Sequence, residues 1–387
     1  MQVTYFFQHK TQFARTRRLV SYLCVFCAFV VNIPAQDFKT IHDGVEYATV
    51  NYKLGSDPVK INLLRLDLKK VRLDVHHAMD AAIGTEKTSS LATRHAAVAA
   101  INASFFRLDK SEWAGDPDEL LIIDRKLLSD SVNQRATLSI VNAEKRTNVD
   151  IGQLKVDVGL ISGGQIYLNF DVNRERKMGS FLIYTPEFGT TTLTDVNGVE
   201  VIVRPSNGTR TSSLELKDGI GNTRIPDDGF VVSLTGKISI EAEYLHSMFY
   251  RKQTVRFAPV VSRGNKDVAP RIEDAVAGVP QLIKNGKIDI TWEQEKASKS
   301  FVETRHPRTA VAKMKDGRFL MITVDGRQPG VSVGMNLYEL ADYLLSLGAN
   351  DAMNLDGGGS TQIAYSNGSQ SESVEGLWPV PDAIVIR

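Results

Sequence analysis

Residues 319–356 carry a strand, a helix and a second strand in succession, and this order constrains the fold more than any other stretch. The first apolar run ends on Asp325, and the second ends on Asp356. In a βαβ unit the two strands are parallel if they share a sheet, so their carboxyl ends meet at one edge. Because ligands favour that edge in open α/β sheets, we expect both carboxylates to lie at a binding site.

The helix between these strands is predicted from spacing and from its ends. Apolar residues recur at helical intervals through residues 337–347, with Asn336 placed to cap the amino end and Gly348 to end the helix. We expect this helix to be a structural crossover that carries no chemistry itself.

The second strand leads into a glycine-rich stretch, DGGGST. Glycines allow unusual backbone angles and a close approach of a ligand to the main chain, and two hydroxyls follow. Carboxylate, bare amides and hydroxyls together suit an oxygen-rich, anionic ligand. A glycine-rich hairpin has the same appearance, so the surrounding residues must decide.

A basic segment precedes another predicted strand. Arg305, His306 and Arg308 flank Pro307, and the planar guanidinium suits phosphate or carboxylate. Arginines that merely cover a sheet edge would look the same. Paired carboxylates serve either glycoside cleavage or the binding of a hard cation, and the arginines favour a substrate that itself carries phosphate.

Asn102 ends an apolar strand in AVAAINASFF. At that position its amide is well placed to bond a ligand, although it could equally cap the turn. Elsewhere, strand-like runs alternate with turn signals. We therefore predict an α+β fold with β-rich mixed sheets and a few helices, including the βαβ unit near the carboxyl terminus.

The first 35 residues are typical of a secretory signal peptide, since basic residues precede an apolar run that ends in Pro34-Ala35. Both cysteines, Cys24 and Cys27, lie in this run, so the mature chain would have no disulfide. Loss of the segment changes the net charge from +1 to −3. We expect a secreted or periplasmic protein that binds no nucleic acid and, after cleavage, is not inserted in a membrane.

Several runs of the sequence resemble the phosphodiester glycosidase family, the bacterial relatives of the enzyme that uncovers mannose 6-phosphate. The matching runs, in the family's order, are AAINASFF, VPQLIKNGK, RHPRTAVA, the long segment at 324–364 and VPDAIVIR. The resemblance implies a glycosidase domain at 95–387, preceded by a β-rich lead-in at 36–94 that packs on it. It also implies hydrolysis of a sugar linked through its anomeric carbon to phosphate, with no cofactor, although a divalent cation stays open.

The resemblance assigns site residues by position. It implies catalytic roles for Asp325, Asp356 and Arg308. Implied substrate contacts are Asn102, His306, Arg327, Asn354, Gly357, Gly358, Gly359, Ser360 and Thr361. Two departures from the family pattern, Ala103-Ser104 and Val279 before Pro280, indicate an altered pocket.

Three classes of function follow. The first is an exported glycosidase that acts on a phosphorylated carbohydrate. The second is a metal-dependent phosphoesterase that uses both aspartates as ligands, and the third is a non-catalytic glycan-binding relative. The sequence leaves open the sugar, the aglycone, the separate roles of Asp325 and Asp356, and the oligomeric state.

Overall fold

The computed structural model describes residues 36–81, 83–131, 133–205, 212–235, 254–263, 266–268, 271–366, 371–374 and 376–387. Residues from Gln36 onward form one compact unit. The predicted signal peptide lies outside the described residues. Among the helices of the described part, none combines the length and apolar character needed to cross a membrane.

Strands dominate the described residues. In chain order they are β1 (Lys39–His42), β2 (Val45–Leu54), β3 (Asp57–Leu66), β4 (Leu73–His77), β5 (Ala99–Asn102), β6 (Leu121–Ile123), β7 (Lys126–Ser129), β8 (Ala136–Ala143), β9 (Arg146–Gln153), β10 (Lys155–Ser162), β11 (Gln165–Leu168), β12 (Asp171–Val172), β13 (Phe181–Tyr184), β14 (Val199–Pro205), β15 (Ser212–Asp218), β16 (Phe230–Leu234), β17 (Val255–Arg263), β18 (Lys266–Asp267), β19 (Asp274–Ala277), β20 (Gln281–Lys284), β21 (Lys287–Ile288), β22 (Arg308–Met314), β23 (Phe319–Val324), β24 (Ala349–Asn354), β25 (Ile363–Ser366), β26 (Ser371–Val374) and β27 (Asp382–Ile386). The α-helices are α1 (Thr88–Arg94), α2 (Lys299–Glu303) and α3 (Leu337–Ser346). This confirms a β-rich fold with few helices.

Five sheets assemble these strands. The largest has the order β1-β2-β3-β23-β22-β24-β20-β21, and a second has the order β26-β25-β5-β27-β4. The other three have the orders β7-β6-β19-β8-β9, β11-β10-β17-β18 and β12-β13-β16-β14-β15. Strands from residues 36–94 thus belong to the same two sheets as strands from the predicted catalytic domain.

The large sheet is packed on both faces. Successive residues of its strands point to opposite faces, and apolar residues lie on each. Ala310 and Ala312 point towards α3, where they pack with Leu340 and its neighbours. Val311 points the other way, into a core shared with Ile101 of the second sheet. The site-bearing strands are therefore held between a helical layer and a second sheet.

Helix α3 begins and ends where its sequence predicts. Asn336 and Glu339 form a reciprocal capping box at the amino end, with each side chain bonded to the other residue's backbone N–H. Beyond the carboxyl end, Gly348 has φ of 92°, a left-handed conformation that glycine adopts without strain.

The predicted βαβ unit is not found as a pair of adjacent parallel strands. Strand β22 lies between β23 and β24 and is antiparallel to both. Since each is antiparallel to the same neighbour, β23 and β24 still run in the same direction. Their carboxyl ends therefore emerge at one edge, and β22 begins at that edge.

Candidate functional site

Three strand ends meet at this edge of the large sheet. Arg308, the first residue of β22, is in register with Val324, the last residue of β23. Ala310 is in register with Asn354 at the end of β24. Asp325 and Asp356 follow those two strand ends, so the sheet itself brings both aspartates to the start of β22.

Asp325 is nearly buried, at 8% exposure, and its carboxyl has polar neighbours from β3. Asn62 Nδ2 donates to Oδ1 at 3.3 Å, and Lys60 Nζ lies 3.8 Å from Oδ2. Burial raises the pKa of Asp325, and Lys60 and Asn62 oppose that rise. These contacts hold the carboxyl in one orientation and favour its charged form.

The glycine loop, residues 357–359, passes close to the backbone at the start of β22. Gly358 N donates to Pro307 O at 2.9 Å, and a Cβ atom placed on Gly357 would come within 2.8 Å of the same oxygen. Of the three glycines, Gly358 alone has a left-handed φ, of 61°. Glycine is therefore required here mainly because the loop backbone lies so close to Pro307, and less because of unusual torsion angles.

Asp356 has a different set of neighbours from Asp325. Its Oδ1 accepts from Gly357 N at 2.9 Å. Burial raises the pKa of Asp356 to about 7, and the nearby carboxylates of Asp382 and Asp118 add to that rise. The structure thus places both aspartates at one edge but gives Asp356 an acidic environment, in which a proton is retained near neutral pH.

The side chain of Arg308 is hydrogen-bonded mainly to backbone carbonyl oxygens. Its Nε donates to Met335 O at 2.9 Å, and its Nη2 donates to Phe301 O and Thr304 O at 2.7 and 2.8 Å. Burial, together with Arg327, lowers the pKa of Arg308 to about 10, so the group stays charged at neutral pH. Three of its five donors thus anchor α2 and the segment before α3, and the buried side chain keeps its positive charge.

Arg327 and His306 form the exposed side of the same cationic group. Arg327 Nη2 lies 3.2 Å from His306 Nδ1, and Arg327 is solvent-exposed. Burial, followed by Arg308 and Arg327, lowers the pKa of His306, which is therefore neutral at pH 7. Among the described residues, the ion pairs include neither Arg308 nor Arg327.

A cavity of about 180 Å³ lies beside Arg327. Asp325, Gly358, Thr361 and Leu377 also line it. A larger groove of about 650 Å³ lies at the opposite end of β23, beside Gly317, and contains none of the predicted site residues.

Asn102 and Asn354, which the resemblance implies as substrate contacts, are buried and hydrogen-bonded within the protein. Asn102 Nδ2 donates to Asp356 O at 2.8 Å, and its Oδ1 accepts from Thr309 Oγ1 and Gln362 N. Asn354 Nδ2 donates to Val279 O and Leu355 O. Asn102 therefore holds the backbone at Asp356, just before the glycines, and Asn354 ties the end of β24 to Val279.

Other polar groups near the loop have no hydrogen-bond partner among the described residues. They are Ser104 Oγ, Asn354 Oδ1, Ser360 Oγ, Thr361 Oγ1 and Asp382 Oδ2. Buried polar atoms are normally paired, so such a group points to water or a ligand in this region.

Asp382 is a buried carboxyl near Asp356 that sequence reasoning missed. Its Oδ1 accepts from Ser104 N at 2.7 Å, and burial raises its pKa to about 6. It opens the apolar last strand, where a carboxylate stands out in VPDAIVIR. This isolated acidic residue in an apolar strand was the sequence feature that could have identified it.

Taken together, the fold and site define a β-rich protein with a cationic sheet edge beside carboxyl groups of raised pKa. The family model described as phosphodiester glycosidase matches residues 195–387. The chain belongs to this family.

Two relatives and one solved structure illustrate the similarity. N-acetylglucosamine-1-phosphodiester alpha-N-acetylglucosaminidase of Bos taurus is 37% identical over 100 residues, covering 24% of this chain and 19% of that protein. An uncharacterised prophage-derived protein of Bacillus subtilis is 43% identical over 63 residues, covering 16% of this chain and 10% of that one. The crystal structure of a hypothetical protein from Synechocystis has a TM-score of 0.74 at 21% identity, covering 92% of this chain and 64% of that one. The matches thus span a small part of the curated relatives, and the solved structure shows a shared fold.

Proposed function

We propose that this chain hydrolyses the anomeric C–O bond of a sugar-1-phosphodiester and releases the sugar and a phosphomonoester. The observation that carries the proposal is the placement of Arg308, Arg327 and His306 beside Asp325 and the glycine loop. Neither guanidinium has a carboxylate partner among the described residues, so their positive charge favours an anion at this edge. Family membership supplies the class of reaction.

The phosphate group would lie against the exposed cationic side. The Arg327 guanidinium would donate charged hydrogen bonds to the phosphate, and neutral His306 would accept or donate through its ring nitrogens. Arg308 would add positive charge from the buried side of the group. As the C–O bond breaks, its electron pair passes to the phosphate oxygen, and these groups stabilise the charge.

The two carboxyl groups would act differently because their environments differ. Asp325 lines the cavity with Arg327, and Lys60 opposes the rise in its pKa that burial causes. It would stabilise positive charge at the anomeric carbon and take the proton of the attacking water. Asp356, with a pKa of about 7, would remain protonated and donate a hydrogen bond to a sugar or phosphate oxygen.

The remaining predictions belong to this proposal. We infer an exported protein because of the signal-like residues 1–35, and a phosphorylated carbohydrate as its partner. Catalysis would need no cofactor, because phosphate is already a good leaving group at an anomeric carbon. Residues 36–94 would form part of the catalytic domain, since β3 pairs with β23.

A panel of sugar-1-phosphodiesters and simple glycosides, incubated with and without EDTA, tests the activity. We expect turnover of the phosphodiesters alone, with no effect of EDTA. Asp325→Asn should lower kcat by about 100-fold or more, whereas Asp228→Asn, in an exposed turn, should match the parent. Binding of sugar phosphates without any turnover would indicate a glycan-binding relative, and loss of activity with EDTA would indicate a metal-dependent enzyme.

A further inference from the structure

A second cluster of chemically active side chains lies around helix α1. His76 belongs to β4, Asp80 ends a short 3₁₀ turn at Ala78–Asp80, and His95 directly follows α1. Each offers one ligand atom, and these atoms all lie within 4.8 Å of one another. Among the described residues, these three form the group of His, Cys, Asp or Glu side chains that one ion could reach.

The two imidazoles are arranged in a way that hydrogen bonding does not explain. Their rings are stacked with centroids 3.5 Å apart and planes at 4°. The Nε2 atoms of both rings are buried and have no hydrogen-bond partner among the described residues. Two unpaired nitrogens side by side are rare in a protein interior, and imidazole nitrogen is a favoured ligand of divalent transition metals.

The carboxylate of Asp80 completes the cluster. Its Oδ1 lies 3.2 Å from His95 Nε2, yet the direction is wrong for a hydrogen bond from that ring. Two ligand atoms on one tetrahedral zinc ion, each about 2.0–2.1 Å from it, are about 3.3 Å apart. The observed separation of 3.2 Å fits two ligands on one ion.

Neighbouring groups hold the carboxylate in this position. Arg94 pairs with Oδ2 of Asp80, which leaves Oδ1 turned towards the rings, and Arg94 also bonds Glu86. Such support of a ligand by its neighbours is usual in metal sites. Met79 and Asp80 have left-handed φ values of 56° and 54°, which non-glycine residues rarely adopt.

The cluster is separate from the candidate glycosidase site. In the register of β4 and β27, His76 is paired with Ala383 and Asp382 with His77. His76 and Asp382 therefore face opposite sides of the sheet. Ala383 packs with α1, which places His76 on the helical side.

We propose that His76, Asp80 and His95 bind one zinc ion, with solvent as the fourth ligand. The ion ties β4 to the end of α1 and holds the 3₁₀ turn between them. Binding opens the parallel ring pair into a V, because the lone pair of each Nε2 must point at the same ion. The role is structural and does not depend on the proposed hydrolase activity.

Metal analysis of the purified, untagged protein tests this proposal. After incubation with ZnCl₂ and exhaustive dialysis, we expect close to one zinc per chain and a Tm a few degrees above that of the chelator-treated protein. With CoCl₂, we expect the visible absorption of a tetrahedral cobalt site. His95→Gln and Asp80→Asn should each lower the retained zinc at least 10-fold.

The control is His42→Gln, which removes an exposed histidine beside Asp43 and should leave zinc binding unchanged. Circular dichroism of each variant without metal separates loss of the site from loss of the fold. X-ray absorption of the zinc-loaded parent gives a second readout that needs no variant, with nitrogen and oxygen ligands at about 2.0–2.1 Å expected. Zinc content below one-tenth per chain, or full retention by a folded His95→Gln variant, would overturn the proposal.

Discussion

The guanidinium of Arg327 lies 3.2 Å from Nδ1 of His306, at the exposed end of a cationic group whose buried end is Arg308. The register of β22 with β23 creates this arrangement, since Arg308 begins one strand and Arg327 follows the end of the other. Arg327 lines a cavity that Asp325 also lines. An anion and a carboxylate-assisted reaction can therefore be accommodated at one place.

Replacing Arg327 should weaken binding of the substrate phosphate. We expect Arg327→Ala to lower kcat/KM about 10- to 100-fold, the effect of losing one charged hydrogen-bond donor. Arg327→Lys should recover part of that loss, and inorganic phosphate should inhibit both variants less than the parent. Steady-state kinetics give the values, with Arg146→Ala in the distant groove as the control. Equal phosphate inhibition in Arg327→Ala and the parent would remove Arg327 from the anion site.

Gly357 should tolerate no side chain. A Cβ there would lie 2.8 Å from Pro307 O, a backbone atom with little freedom to move. Gly357→Ala should therefore lower the free energy of unfolding by about 1–3 kcal/mol and reduce turnover sharply. Gly152→Ala is the matched control, since the nearest atom to its added Cβ is 3.7 Å away. Thermal denaturation that showed equal Tm values for the two variants would contradict the close approach.

The pH dependence of kcat/KM should report Asp356. Because burial raises its pKa to about 7, the protonated form is lost as the pH rises through that value. We expect the activity of the parent to fall above about pH 7. Asp356→Asn imitates the protonated carboxyl in shape and should keep a reduced activity without that alkaline fall. An unchanged alkaline limb in the variant would assign the titration to another group.

Asp382 should make stability depend on pH. Its pKa of about 6 in the folded protein exceeds its ordinary value of 3.8, so the folded state holds the proton more tightly than the unfolded chain. Its contribution is therefore most favourable at low pH and is lost as the pH rises from about 4 through about 6. Asp382→Asn should be up to about 3 kcal/mol more stable than the parent at pH 8 and nearly equal at pH 4. Urea denaturation at the two pH values measures this difference, and a constant offset would contradict it.

The sequence allowed the convergence of Asp325 and Asp356 to be predicted, because the helical spacing of residues 337–347 marked a crossover between two strands. It did not reveal that β22 inserts between those strands. Insertion of an antiparallel strand depends on pairing between distant residues, which local periodicity does not encode.

The direction of side chains was the second feature that the sequence could not predict. The sequence placed Asn102 and Asn354 at strand ends, but it could not show that their amides bond the carbonyl oxygens of Asp356 and Leu355. The same limit hid the approach of Asp382 to Ser104, which are far apart in the chain. Polar partners of this kind emerge only when the sheets are assembled.

The bond that is cleaved tests the central claim most directly. Hydrolysis of a sugar-1-phosphodiester in water enriched in ¹⁸O, followed by mass spectrometry of both products, locates the incoming oxygen. The present account predicts that the label enters the released sugar, because water attacks the anomeric carbon. Label in the phosphomonoester would contradict it and would indicate a phosphoesterase.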